Sequence, residues 1–180
     1  MAPQLSKAEI LRLLELLNQE LAAHDIRGEV YLVGGAVMCL VFGARASTRD
    51  VDALFRPAQR VREAARRVAL QAGAAENWLN DAAKGYLSDH GAFDDYLELS
   101  HLRLLTAQPA YLLAMKCLAA RIGEEFHDVA DIRYLLRDLN LTAYQDALRV
   151  ITQYYPFERF PQKTLYLLEE LLGTGEIVAD

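Results

Sequence analysis

The chain has 180 residues, 53% of them hydrophobic and 24% charged, which excludes a disordered or fibrous polymer and limits it to one compact domain, or one domain with a small helical appendage. With 19 Lys and Arg against 25 Asp and Glu its formal net charge is -6, so it does not coat nucleic acid by bulk charge, and any anionic partner must be held locally. Met1 to Ser6 lacks the basic-then-apolar pattern of a secretory signal, and no apolar stretch reaches the roughly 18 residues of a membrane span, so a soluble, cytoplasmic protein without membrane contact is expected.

Ser6-Lys7-Ala8-Glu9 is a capping box, and Ile10, Leu13, Leu14, Leu17 and Leu21 follow at helical spacing, so a first helix is expected to run to about His24. After Gly28, Glu29 to Val33 reads as a short strand ending at the Gly34-Gly35 pair, and Ala36 to Phe42 as a short apolar helix stopped by Gly43. A polar loop leads into an alternating strand, Asp50 to Phe55. Pro57 punctuates it, and Ala58 to Ala72 is an Arg-rich helix closed by Gly73. Asn77 to Asp81 is assigned a helical turn, with a loop around Gly85 and Gly91. Tyr96 to Ser100 and Leu102 to Thr106 read as strands, and Pro109 opens a helix to about Ile122. Helices follow near His127 to Asp138, Thr142 to Tyr154 and Gln162 to Leu172. The fold class expected is α+β: a small mixed sheet flanked by helices over residues 1–106, then a helical region, 107–180, packed on it.

The chemistry concentrates in Tyr31-Leu-Val-Gly-Gly-Ala-Val and Thr48-Arg-Asp-Val-Asp-Ala-Leu-Phe55. Residues two apart on a strand share a face, so Asp50 and Asp52 project together while Val51, Ala53 and Phe55 pack on the other side. Two carboxylates that close repel unless a cation lies between them, and oxygen-only ligands suit Mg²⁺ or Mn²⁺, which also take phosphate oxygens. A Gly-rich turn after a strand lets backbone N–H groups approach phosphate, and the following helix start favours negative charge. Gly34 and Gly35, with Thr48 and Arg49 just ahead of the first carboxylate, thus read as the nucleotide-binding half of a metal-triphosphate site.

These residues resemble the DNA polymerase beta-like nucleotidyltransferase superfamily, whose signature is an apolar residue, Gly, Gly or Ser, a helix, and then Asp-apolar-Asp-apolar. More narrowly, the chain looks like its toxin-type branch, the AbiEii and MenT relatives, in which a helical Lys and a further Asp complete the site. Leu113-Ala-Met-Lys116-Cys-Leu-Ala-Ala-Arg121 and His127-Asp128-Val-Ala-Asp131-Ile fit that later pattern. The resemblance spans about residues 29 to 138, with Gly35 where Ser is commoner. It implies a nucleotidyltransferase fold and transfer of an NMP unit from an NTP to a hydroxyl, on a tRNA 3′ end or on a protein, with a neutralising antitoxin as a further partner. Asp50 and Asp52 would hold two metal ions. Gly34, Gly35 and Lys116 would hold the β- and γ-phosphates. A third carboxylate on a neighbouring strand is also implied, as metal ligand or base; Glu98 is the candidate, because it alternates with Leu97 and Leu99, with Asp94 and Asp95 as the fallback.

Helical spacing puts Lys116 on a face with Leu112, Leu113, Cys117 and Ala120, where an ammonium group is costly unless paired. It either snorkels to water or reaches the site to bind phosphate, and the second is the reading taken. Asp128 and Asp131 share a helical face; Asp128 caps its helix and Asp131 pairs with an Arg, or one of them has a site role. Residues 45–67 hold seven Arg against three acids, a local net of +4 against -10 for the rest, either a solvated helix with a Glu63–Arg67 pair or a basic rim for triphosphate or RNA. The four His residues lack zinc-ligand spacing. Trp78 reads as a core anchor, with a base-stacking platform near Asn80 as the alternative, and Cys39 and Cys117 as buried thiols. The reading that follows is a Mg²⁺- or Mn²⁺-dependent nucleotidyltransferase; the alternative is a module that keeps the fold without turnover, such as an antitoxin-like subunit.

Overall fold

Ser6 closes the capping box: its hydroxyl accepts from the Glu9 N–H at 3.3 Å, and the Glu9 carboxylate accepts from the Ser6 N–H at 2.7 Å. The helix so started is the first long element of an α+β chain. The computed structural model describes residues 3–123 and 126–173; the remaining residues of the two expected regions lie outside the described residues. The described elements are β1 (Leu5–Ser6), α1 (Lys7–Ala23), β2 (Gly28–Leu32), α2 (Gly34–Leu40), β3 (Ser47–Thr48), β4 (Val51–Arg56), α3 (Ala58–Ala72), β5 (Leu79–Asn80), β6 (Phe93–Glu98), β7 (Leu102–Ala107), α4 (Pro109–Ala119), α5 (Asp128–Asp138), α6 (Tyr144–Ile151) and α7 (Gln162–Leu172). They divide into two units, one of residues 1–85 and 93–107, the other of 86–92 and 108–180. The segment 86–92 belongs to the same unit as the helices after residue 107.

In the first unit the sheet order is β5-β4-β2-β7-β6, and β1 pairs with β3 in a separate two-stranded piece. β2 runs antiparallel to β4 and parallel to β7, so the sheet is mixed. Period-two alternation sends Val30, Leu32, Val51, Ala53, Phe55, Leu102 and Leu104 into the core. There they meet the apolar stripes of α1, with Ile10, Leu13, Leu14, Leu17 and Leu21, and of α3, with Val61, Ala64 and Val68. Gly73 ends α3 in the left-handed conformation, as its position predicts.

Asn77 to Asp81 departs from expectation. Leu79 and Asn80 form a strand, β5, aligned with Val51 and Asp52. Trp78 explains it: the indole is buried, its Nε1 donates to the Ala65 carbonyl at 3.0 Å, and its own carbonyl accepts from the Val51 N–H at 2.6 Å. A two-residue strand has no periodicity to read, and here burial of the largest side chain sets the backbone path. The strand expected at Tyr96–Ser100 lies earlier, at Phe93–Glu98, with a register shift between Asp95 and Leu97 where it pairs with β7.

The second unit is built around α4, whose Tyr111, Leu112, Leu113, Ala114, Met115, Cys117 and Leu118 are all buried and whose one charged residue is Lys116. It packs on α5 and α6, and α6 packs on α7. The segment Tyr86–Ala92 is tied into these helices by named bonds. Tyr111 Oη accepts from the Ser88 N–H at 2.9 Å, Ser88 Oγ donates to the Tyr154 carbonyl at 2.5 Å, and the Tyr155 hydroxyl donates to the Tyr86 carbonyl. Burial raises the Tyr155 phenol pKa, keeping it a donor. Gly91 lies against the Tyr111 ring, where a Cβ would stand 2.5 Å from Cε1 and Cζ. Gly91→Ala is therefore expected to force the ring or the segment aside and cost about 1–3 kcal/mol. A denaturant midpoint equal to that of the parent would contradict this packing.

Candidate nucleotide and metal site

The ladder between β2 and β4 continues one step past β2, with the Val33 N–H donating to the Asp52 carbonyl at 3.0 Å. The chain then turns at Gly34, whose φ of 64° lies in the left-handed region that disfavours any side chain. A Cβ at Gly34 would come within 3.1 Å of Asp52 Oδ2. One at Gly35 would stand 2.7 Å from Thr48 Oγ1 and 2.5 Å from Arg45 Nη1. The two glycines thus form a turn with a carboxylate against one flank and a hydroxyl and a guanidinium against the other.

Asp52 lies in β4 and alternates with buried Val51 and Ala53, as expected; it is half-buried, and so is Asp50, which stands on the bend immediately before the strand. Thr48 is buried and held in β3 by its pairing with Leu5. Arg49 is exposed on the bend between β3 and β4. Arg45 is the member of this group that the sequence pattern does not single out. It lies outside both motifs and is one of seven arginines in its stretch, so no spacing rule marks it.

Glu98 requires a correction. It lies on β6, an edge strand separated from β4 by β2 and β7, hence about 14 Å away across the sheet at about 4.8 Å per strand. Its row runs through Arg103 and Glu29 to Arg56, four residues along β4 from Asp52. Glu98 is therefore not a third carboxylate for Asp50 and Asp52, and Asp94 and Asp95 fail on the same ground. The β6 acids serve a surface cluster instead: Arg103 donates to Asp95 at 2.6 Å and lies 3.5 Å from Glu29, and these carboxylates, with Glu98, raise the Arg103 pKa. The position beside Asp52 on the adjoining strand is Asn80, whose amide accepts from the Ala82 N–H and donates to the Asn77 carbonyl. Among the described residues no group of three or more His, Cys, Asp or Glu can hold a metal ion. A cation at Asp50 and Asp52 would complete its shell with phosphate or water oxygens, the usual habit of Mg²⁺.

In the second unit, Lys116 neither snorkels nor stands open to a ligand. Its Nζ lies 2.7 Å from Asp131 Oδ2 and 3.3 Å from Asp128 Oδ1, all three side chains being at least nine-tenths buried. Asp128 does not cap α5 with its side chain; it accepts from the Arg121 N–H at 3.0 Å and from Arg121 Nε at 3.1 Å. Asp131 pairs with Lys116. Burial favours the neutral form of Asp128, but the Lys116 charge and the Arg121 bonds outweigh it, and its pKa falls below the ordinary 3.8. With the folded pKa the lower one, the stabilisation is complete above the unfolded value and is lost as pH falls through the folded one. The helical unit should thus lose stability as pH drops below 3.8, and Asp128→Asn should flatten that acid limb of a melting-against-pH curve. An acid limb of unchanged slope in the variant would show that Asp128 does not contribute it.

The Arg-rich helix α3 is largely neutralised. Arg62 meets Asp81 at 2.7 Å, Arg66 meets Glu76 at 3.6 Å and Arg67 meets Glu20 at 2.5 Å, while Glu63 accepts from Gln59 rather than from Arg67. This favours a structural helix over a basic rim. Cys39 and Cys117 are buried free thiols, and burial raises the Cys117 pKa. A groove of about 600 Å³ on α5, lined by Phe126, Val129, Arg133, Tyr134 and Arg137, carries no carboxylate or nucleophile and is not where metal chemistry would occur. Among the described residues no helix is long and apolar enough to cross a membrane. No family model, curated protein or solved structure matches the chain.

Proposed function

We propose that the chain is a Mg²⁺- or Mn²⁺-dependent nucleotidyltransferase that moves the NMP unit of an NTP to an acceptor hydroxyl and releases pyrophosphate. The observation that carries this reading is the seating of the Gly34-Gly35 turn against Asp52 on one side and Thr48 on the other. A carboxylate and a hydroxyl against a strand-to-helix glycine turn, all within one unit, support a metal-triphosphate reading. Asp50 and Asp52 would hold the metal, which when bound supplies Lewis-acid polarisation of phosphoryl oxygens. The absence of a Cβ at Gly34 and Gly35 lets Asp52, Thr48 and Arg45 close on the turn, and the Thr48 hydroxyl is a donor for a polyphosphate bound beside them. Phosphoryl transfer depends mainly on positioning and charge neutralisation, so a third carboxylate is not a precondition for turnover. The toxin-type resemblance favours a tRNA 3′ end or a protein hydroxyl in the cytoplasm as acceptor, and a neutralising antitoxin as partner.

A second reading, a nucleotide-binding module without turnover, draws on the sheet order that leaves Glu98 away from the aspartates. Incubation with each α-labelled NTP, Mg²⁺ or Mn²⁺, and total RNA or lysate separates the two. Label carried into RNA or protein supports the transferase. Nucleotide binding by calorimetry without labelling supports the module, and neither binding nor labelling defeats both.

A further inference from the structure

Arg45 has a place at the glycine turn that neither motif assigns it. A Cβ on Gly35 would stand 2.5 Å from Arg45 Nη1 and 3.3 Å from its Cζ, closer than any methyl group tolerates, so the guanidinium lies directly over the turn backbone. Beside it is Thr48 Oγ1, on a residue only 5% exposed. Of the other arginines in the basic stretch, Arg62, Arg66 and Arg67 meet Asp81, Glu76 and Glu20, and Arg56 lies over the Tyr31 ring.

Asp52 flanks the turn at Gly34 and Arg45 flanks it at Gly35, so the two sides differ in charge. A polyphosphate has several anionic oxygens, and those not turned toward a metal on the carboxylate side still need donors. A planar guanidinium supplies two parallel N–H bonds to such oxygens, with a charge that never titrates away. We propose that Arg45 is the fixed-charge grip on the β- and γ-phosphates. It makes the site select for phosphate number, taking nucleoside triphosphates and pyrophosphate in preference to nucleoside monophosphates. This rests on the nucleotidyl-transfer reading, whose own failure shows in the parent protein rather than in the variants.

The competing role is purely structural, with Arg45 offsetting nearby carboxylates in the resting fold. Calorimetry in Mg²⁺ with each NTP, the matching NMP and inorganic pyrophosphate distinguishes the two, using the parent, Arg45→Gln and Arg45→Lys, each first checked by thermal melting. Loss of a charge-assisted pair of hydrogen bonds corresponds to roughly 10- to 100-fold in affinity. Arg45→Gln is expected to weaken NTP and pyrophosphate by that factor and NMP by less than about threefold. If Arg45→Gln does not fold, Arg45→Lys decides the matter: it keeps the charge but not the fork, and should lose on the order of 10-fold for pyrophosphate. Folded variants that bind NTP and pyrophosphate as the parent does, or that lose NMP affinity equally, would overturn the proposal. A parent protein that binds neither NTP nor pyrophosphate would overturn the nucleotidyltransferase reading itself.

Discussion

Asp52→Asn and Asp50→Asn, made singly, are expected to reduce NMP transfer on the order of 10³-fold. The rate term follows from the role assigned to them: a metal ligand supplies several kcal/mol of transition-state charge stabilisation, and each 1.36 kcal/mol or so is tenfold in rate. A further signature comes from linkage. Mg²⁺ with NTP should raise the melting temperature of the parent by stabilising the folded state, and this rise should shrink in both variants. A variant that retains the full rate of labelling would show that Asp50 and Asp52 do not carry the chemistry, whatever the parent transfers.

What the sequence disclosed and what it withheld divide along the range of the forces involved. α1 and α3 were legible because their signals are local: the Ser6–Glu9 capping box, apolar residues at helical spacing and a Gly73 able to adopt a left-handed cap all act within a few residues. The face that buries Val51, Ala53 and Phe55 was legible for the same reason, since alternation is a property of the strand itself. Glu98 was misplaced because alternation says which face a side chain takes but not which strands are neighbours, and β2 and β7 intervene. β5 was missed because its cause is the burial of Trp78 against Ala65 of α3, a tertiary event: the sequence marks Trp78 as a core anchor but not the strand pairing that its burial imposes on Leu79 and Asn80. Arg45 was missed because its relation to Gly35 spans a helix and a loop, and only the fold brings the two together.

Lys116→Met is expected to be the most destabilising single change in the helical unit, at about 3–5 kcal/mol, because it leaves Asp128 and Asp131 as buried carboxylates deprived of their shared cation. Arg121 remains on Asp128, but its side chain is largely exposed, so it offsets only part of the loss. The buried triad is costly to break yet need not be worth much intact. Removing charge from all three positions together, as Lys116→Met with Asp128→Asn and Asp131→Asn, should recover most of the lost stability, since no unpaired buried charge is then left. This non-additivity, measured by urea unfolding of the single and triple variants, separates a structural cluster from a phosphate-binding lysine. If the triple variant regains stability and keeps NTP affinity, Lys116 is a structural cation. Recovery of stability with NTP affinity still lost would return Lys116 to the nucleotide, the role that the resemblance implies. A single variant as stable as the parent would mean that Asp128 is not held charged by Lys116, contrary to its lowered pKa.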